Sequence, residues 1–170
     1  MALPKRNKTI TLTFKRDALI YDISNYAYVE GDIMPTDDPA KHQVLDIVQE
    51  GNVDRVTRML DIAHAECVEM MYPYSKMECS EVEQRDNELK ETDVYAITLL
   101  VPDGFSQTTT TLISKLAHEY MVCRVLFDWF SITKPAAQNN WGIKMENARA
   151  EIRERLNARC NRIRRTQSPF

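Results

Sequence analysis

The sequence predicts a single α+β domain, mainly helical, with about four helices and one small β element. Three observations carry this. The C-terminal third repeats apolar residues at helical spacing along two long stretches, two earlier stretches do the same between turn signals, and two short runs alternate apolar and polar residues. Helices are expected at roughly 38–50, 53–72, 108–131 and 135–163, and the β element at 8–29 and 93–101. A chain of 170 residues is enough for one real core, so 1–159 is assigned to one domain and 160–170 to a partner-docking tail.

Thr9-Ile10-Thr11-Leu12-Thr13-Phe14 alternates without a fault and reads as a half-buried strand. Leu19 to Val29 is rich in aromatic and β-branched residues, which predicts a second strand joined to the first by a hairpin at Lys15-Arg16-Asp17. Glu30 to Thr36 is a loop. Asp37 or Asp38 caps a helix with Pro39 in its first turn, and Gly51-Asn52 breaks that helix. The next helix buries Val56, Met59, Leu60, Ala63, Cys67, Met70 and Met71, and Tyr72-Pro73-Tyr74 ends it. Residues 75–92 are acidic and polar, the composition of a surface loop or a frayed helix. From Asp93 to Val101, Tyr95, Ile97, Leu99 and Val101 alternate as a strand should, and Pro102-Asp103-Gly104 turns the chain.

The helix that follows is apolar on two sides. Leu112, Leu116, Tyr120, Cys123, Phe127 and Phe130 form one stripe, and Ile113, Ala117, Met121, Val125 and Trp129 form another. Both must be covered. The chain is expected to cover one and a second subunit the other, which makes Met121, Val125 and Trp129 interface residues. Arg124 and Asp128, four apart on this helix, would be a partly desolvated pair fixing the register of that contact. Pro135 then starts the last helix, whose single stripe is Ala137, Trp141, Met145, Ala148, Ile152 and Leu156.

The formal net charge of −3 gives no reason to expect bulk nucleic-acid binding. Charge is nevertheless segregated: residues 66–94 carry nine acidic against three basic side chains, and residues 144–165 carry eight basic against three acidic. Such segregation suits solvated faces, and it also suits an oligomer in which acidic and basic surfaces meet. Arg162, Arg164, Arg165 and the terminal Phe170 have the chemistry to dock on a partner, the arginines on acidic side chains and the ring in an apolar pocket.

Motifs for chemistry are absent. The chain has no GxSxG, HExxH or P-loop, and only four glycines. His64 and Cys67 are three apart but lack further ligands, and His118 and Cys123 do not share a helix face, so neither a metal nor any other cofactor is expected. The four cysteines, Cys67, Cys79, Cys123 and Cys160, form no framework, which predicts free thiols and a reducing, intracellular site of synthesis. The N-terminal residues show no secretory signal, and no apolar run is long enough to span a membrane. These observations predict a protein that is not an enzyme.

The run from Leu116 to Pro135, with Trp129, a short turn and Pro, followed by Trp141 and an Ala/Glu/Arg-rich helix, resembles small structural proteins encoded among the virion genes of tailed phages infecting Bacteroides-type hosts. The broader class is the head–tail connector, or adaptor, of the phage neck. The resemblance covers about fifty residues closely and is a packing pattern, not a chemical signature. It implies a homo-oligomeric ring of about twelve copies, docked beneath the portal protein and contacting tail or neck proteins. It also implies non-specific proximity to passing DNA, no membrane, and location in the virion after synthesis in the bacterial host cytoplasm. The strands set this chain apart from the simplest adaptors, which are almost wholly helical.

Three rivals make different demands. A tail terminator or other tail-interface protein would be dominated by β-hairpins and form a sixfold ring. A small cytoplasmic enzyme would need a concave pocket with converging polar groups. A binding module would be monomeric.

Overall fold

The structure is a computed structural model that describes residues 7–76 and 92–158. In chain order, β1 (Asn7–Lys15) leads directly into α1 (Arg16–Asp32), then α2 (Ala40–Leu45) with a 3-10 turn, α3 (Glu50–Met70), β2 (Val94–Pro102), α4 (Gln107–Thr133) and α5 (Pro135–Ala158). The fold is mainly helical α+β, with five helices and one two-stranded antiparallel sheet among the described residues.

The strands pair from Asn7 opposite Pro102 to Lys15 opposite Val94. This register puts Leu12 across from Ile97 and Phe14 across from Tyr95, all buried, while the threonines of β1 stay on the open face. Arg16 N–H then donates to Asp93 O at 2.9 Å, and the buried Arg16 guanidinium donates to Thr57 Oγ1 of α3 at 2.9 Å. Sheet, α1 and α3 are tied at one point.

The expected hairpin within 8–29 does not form; residues 16–32 are a helix. The buried positions are Arg16, Leu19, Ile23, Ala27 and Gly31, stepping by three and four. The residues that suggested a strand, Tyr21, Tyr26, Tyr28 and Val29, are on the exposed side. Their β propensity was never tested by a pleated surface, because the buried face alone decided the conformation.

Asp38 Oδ1 accepts the Ala40 N–H at 2.9 Å, capping α2 as expected. The break before α3 falls at Gln49, whose backbone is extended, so Gly51 and Asn52 lie inside the first turn of α3 and do not separate the helices. Asp46 fixes this corner by accepting from Gln49 Nε2 at 2.6 Å and, through its carbonyl, from Asn52 Nδ2 at 2.8 Å.

Helix α4 is the centre of the domain and packs on α1, α2, α3 and α5. Lys134, non-helical between Thr133 and Pro135, makes the corner to α5. The stripe expected on α5 is observed, with Ala137, Trp141, Ala148, Ile152 and Leu156 buried and Met145 half-buried. Trp141 packs edge-on to Tyr26 at 5.1 Å and tilted against Phe130 at 6.0 Å, and its Nε1 donates to Glu30 Oε1 at 3.2 Å. Glu30 also accepts from Lys134 Nζ at 2.8 Å.

Candidate functional site

The residues assigned to a subunit contact are in the domain's own core. Met121 is fully buried, Val125 is 1% exposed and Trp129 is 8% exposed, with Trp129 Nε1 donating to Val44 O of α2 at 3.3 Å. The chain covers both stripes of α4 because α1, which was read as a strand, supplies a further helix for the sandwich. Arg124 and Asp128 do not pair with each other. Arg124 Nε lies 3.3 Å from Glu66 Oε2, and Asp128 Oδ2 accepts from Arg55 at 2.7 Å, so both reach across to α3. They fix the α3–α4 register within one chain.

Unsatisfied apolar surface lies instead on α1. Tyr21 is 71% exposed, Tyr28 61%, Val29 50% and Ile33, at the helix end, 74%. Asp17, Tyr21, Asn25, Tyr28 and Asp32 step by three and four along the outward face, with Val29 and Ile33 alongside. Asp17 and Asp32 are exposed and have no side-chain partner among the described residues. The helix carries no basic residue in its last turn, so the ridge is aromatic and acidic. Scattered exposed apolar residues are ordinary; here four of them line up on one side of one helix.

A second feature is concave. A groove of about 740 Å³ runs between the C-terminal half of α3 and α5. Glu66, Glu69 and Met70 form one wall, Arg149, Arg153 and Leu156 the other. Glu66 is already engaged, accepting the Tyr120 hydroxyl at 2.7 Å and facing Arg124. Among the described residues Arg149 makes one long contact, 3.4 Å to Glu146, and its buried Nε has no acceptor. Arg153 is exposed, one turn along, with no partner among the described residues.

The shifted ionisable groups are all moved away from reactivity. Burial pushes the Cys67 thiol up, and pushes Cys123 up to about 12. Burial, reinforced by hydrogen bonds to Asp61 and Glu66, likewise raises Tyr95 and Tyr120. A thiol held protonated is a poor nucleophile and a poor metal ligand. His64 Nε2, whose carbonyl partner requires an N–H there, donates to Ala96 O at 2.8 Å, and His118 pairs with Asp22 at 2.7 Å. Each histidine thus has a local structural role. No group of three or more potential metal ligands occurs among the described residues, and no described helix is long and apolar enough to cross a membrane.

Arg162, Arg164, Arg165 and Phe170, with Cys79, Cys160 and the 160–170 tail, lie outside the described residues. Sequence reasoning missed both the ridge and the groove. The ridge was legible in the spacing of Leu19, Ile23 and Ala27, which is helical; the groove depends on how α3 and α5 approach across α4, which no local pattern encodes.

No protein family, no curated protein and no solved structure matches this chain.

Proposed function

We propose that the chain is a non-catalytic structural protein of a tailed-phage virion, a ring-forming connector of the neck between portal and tail. The observation that carries the reading is the outward row of Tyr21, Tyr28, Val29 and Ile33 on a helix whose other face is fully buried. Two large aromatic rings and two aliphatic side chains held out on a rigid helix make contacts at low entropic cost, as assembly surfaces require. The α4–Lys134–α5 hairpin that carries the resemblance is the packed centre of the domain, a rigid frame for presenting such a surface. A mainly helical fold with one strand pair favours a connector over the β-dominated tail terminator.

The groove is the observation that favours the enzyme alternative. Its half-buried carboxylate, Glu66, is held by Tyr120 and Arg124, and the buried thiols nearby are driven toward the neutral form, so an anchoring role suits these groups better than acid–base chemistry. Native mass spectrometry of the purified protein, alone and co-expressed with the portal protein of its phage, tests the reading. A closed oligomer of defined copy number, or stoichiometric attachment to the portal ring, is expected. A strict monomer under both conditions removes it.

A further inference from the structure

The ridge on α1 and the groove between α3 and α5 differ in shape and in charge. The ridge is convex, aromatic and flanked at both ends by the carboxylates of Asp17 and Asp32, which have no partner among the described residues. The groove is concave, partly aromatic through Tyr72 and Tyr74, and offers the underused guanidiniums of Arg149 and Arg153. We propose that they are the two halves of one head-to-tail contact: the α1 ridge of one copy docks in the α3–α5 groove of the next. The inference rests on the connector reading and assigns its subunit interface.

The physical case has three parts. A groove cannot fill itself, so this surface does not suit a two-fold contact in which the same patch meets its copy; it asks for a convex partner. The row from Asp17 to Asp32 is about 22 Å long at 1.5 Å per residue, long enough for one carboxylate end to reach the two arginines while Tyr28 and Val29 lie against the exposed ring of Tyr72. Among the described residues Arg153 has no ion pair and Arg149 only a long one to Glu146, so an incoming carboxylate has both guanidiniums to bind. Glu69, on the opposite wall, disfavours a ligand that is acidic along its whole length and so orients the ridge with its carboxylate toward α5. A contact between two different patches repeats from copy to copy and closes into a ring when the rotation per step allows.

The experiment uses two full-length variants with changes at exposed positions, Tyr28→Lys to spoil the ridge and Arg153→Glu to spoil the groove, with circular dichroism confirming wild-type helix content in each. Sedimentation velocity at millimolar concentration reads assembly. Each variant alone is expected to associate at least about tenfold more weakly than wild type and to sediment as a monomer. Mixed one to one, they retain one good ridge and one good groove between them and should form a heterodimer that grows no further. Combining Asp17→Arg and Asp32→Arg with Arg153→Glu in one chain should restore assembly. Variants that assemble as wild type does, a mixture that stays monomeric, or a Tyr28→Lys protein that dimerises with itself would each overturn the pairing while leaving the connector reading standing. A wild type that remains monomeric throughout overturns the pairing in solution, and the portal co-expression then decides the connector reading separately.

Discussion

Glu30 on α1 and Lys134 at the α4–α5 corner meet at 2.8 Å, and the same carboxylate receives Trp141 Nε1 on its other oxygen. Both ionic side chains are about four-fifths buried, so this contact is screened less than a surface pair. One residue of the first helix thereby holds the turn between the last two.

Truncating Glu30 should be felt across the domain. Glu30→Ala leaves the indole N–H without its acceptor and Lys134 without its counter-charge, with only the Glu30 carbonyl at 3.1 Å remaining to Nζ, and should cost about 1–3 kcal/mol in urea unfolding. Glu30→Gln retains an oxygen acceptor, but loses the charge, and should cost less than the alanine. Equal losses for the two would show that packing, not the hydrogen bonds, is responsible.

Placing a lysine at Met121 or Val125 should unfold the protein rather than dissociate an oligomer. Both side chains are at most 1% exposed, and an ammonium there has no partner. A loss of at least about 3 kcal/mol is expected, read as a fall in melting temperature with loss of helical circular dichroism. A variant that keeps its helix content and only loses association would return this stripe to an interface.

The glycines divide by what surrounds them. Gly51 lies in the first turn of α3 with nothing within 4 Å of an added Cβ, so Gly51→Ala should stabilise by roughly 0.4–1 kcal/mol. At Gly31 the same methyl group would lie 2.7 Å from Leu45 Cδ2, and the α1–α2 packing must shift. Gly31→Ala should therefore fall below Gly51→Ala in a thermal melt, by more than helix propensity alone provides.

Alkaline pH should weaken the fold. Cys67, Cys123, Tyr95 and Tyr120 are all raised by burial, so above pH 9–10 the unfolded chain ionises first and folding loses ground. The stability these groups contribute is intact below the unfolded values of 9.0 and 10.0 and is lost as pH climbs toward the folded ones. Each group can contribute up to about 1.4 kcal/mol per pH unit to the decline. The Cys67→Ala, Cys123→Ala double variant should show a shallower loss between pH 9 and pH 11; an unchanged slope would locate the effect elsewhere.

The sequence was most legible where one side of an element alone had to be buried. The α5 stripe, the α3 stripe, both strands' alternation and the Lys134–Pro135 corner were readable because period and burial coincide there. It failed at α1, where Tyr21, Tyr26, Tyr28 and Val29 give strand composition to the exposed side of a helix. That one misreading propagated. With α1 missing from the inventory, the second stripe of α4 had no cover, and a neighbouring subunit was invoked for Met121, Val125 and Trp129. Arg124 and Asp128 were legible as an i,i+4 pair, but α3 supplies each a closer partner. Nothing local announces that Glu66 and Arg55 will be there.

The pairing of Lys15 with Val94 also sets a schedule for synthesis. β1 leaves the ribosome before β2, its partner strand among the described residues, which follows three helices later, on the order of several seconds at roughly 5–20 residues per second. For that interval the nascent chain carries a strand with both edges open. Thr9, Thr11 and Thr13 on one face and lysines at positions 8 and 15 guard it, since charge and polarity at an open edge discourage pairing with a neighbouring nascent chain. Closure then crosses a long loop, because α1, α2 and α3 must all be made before Val94 can reach Lys15.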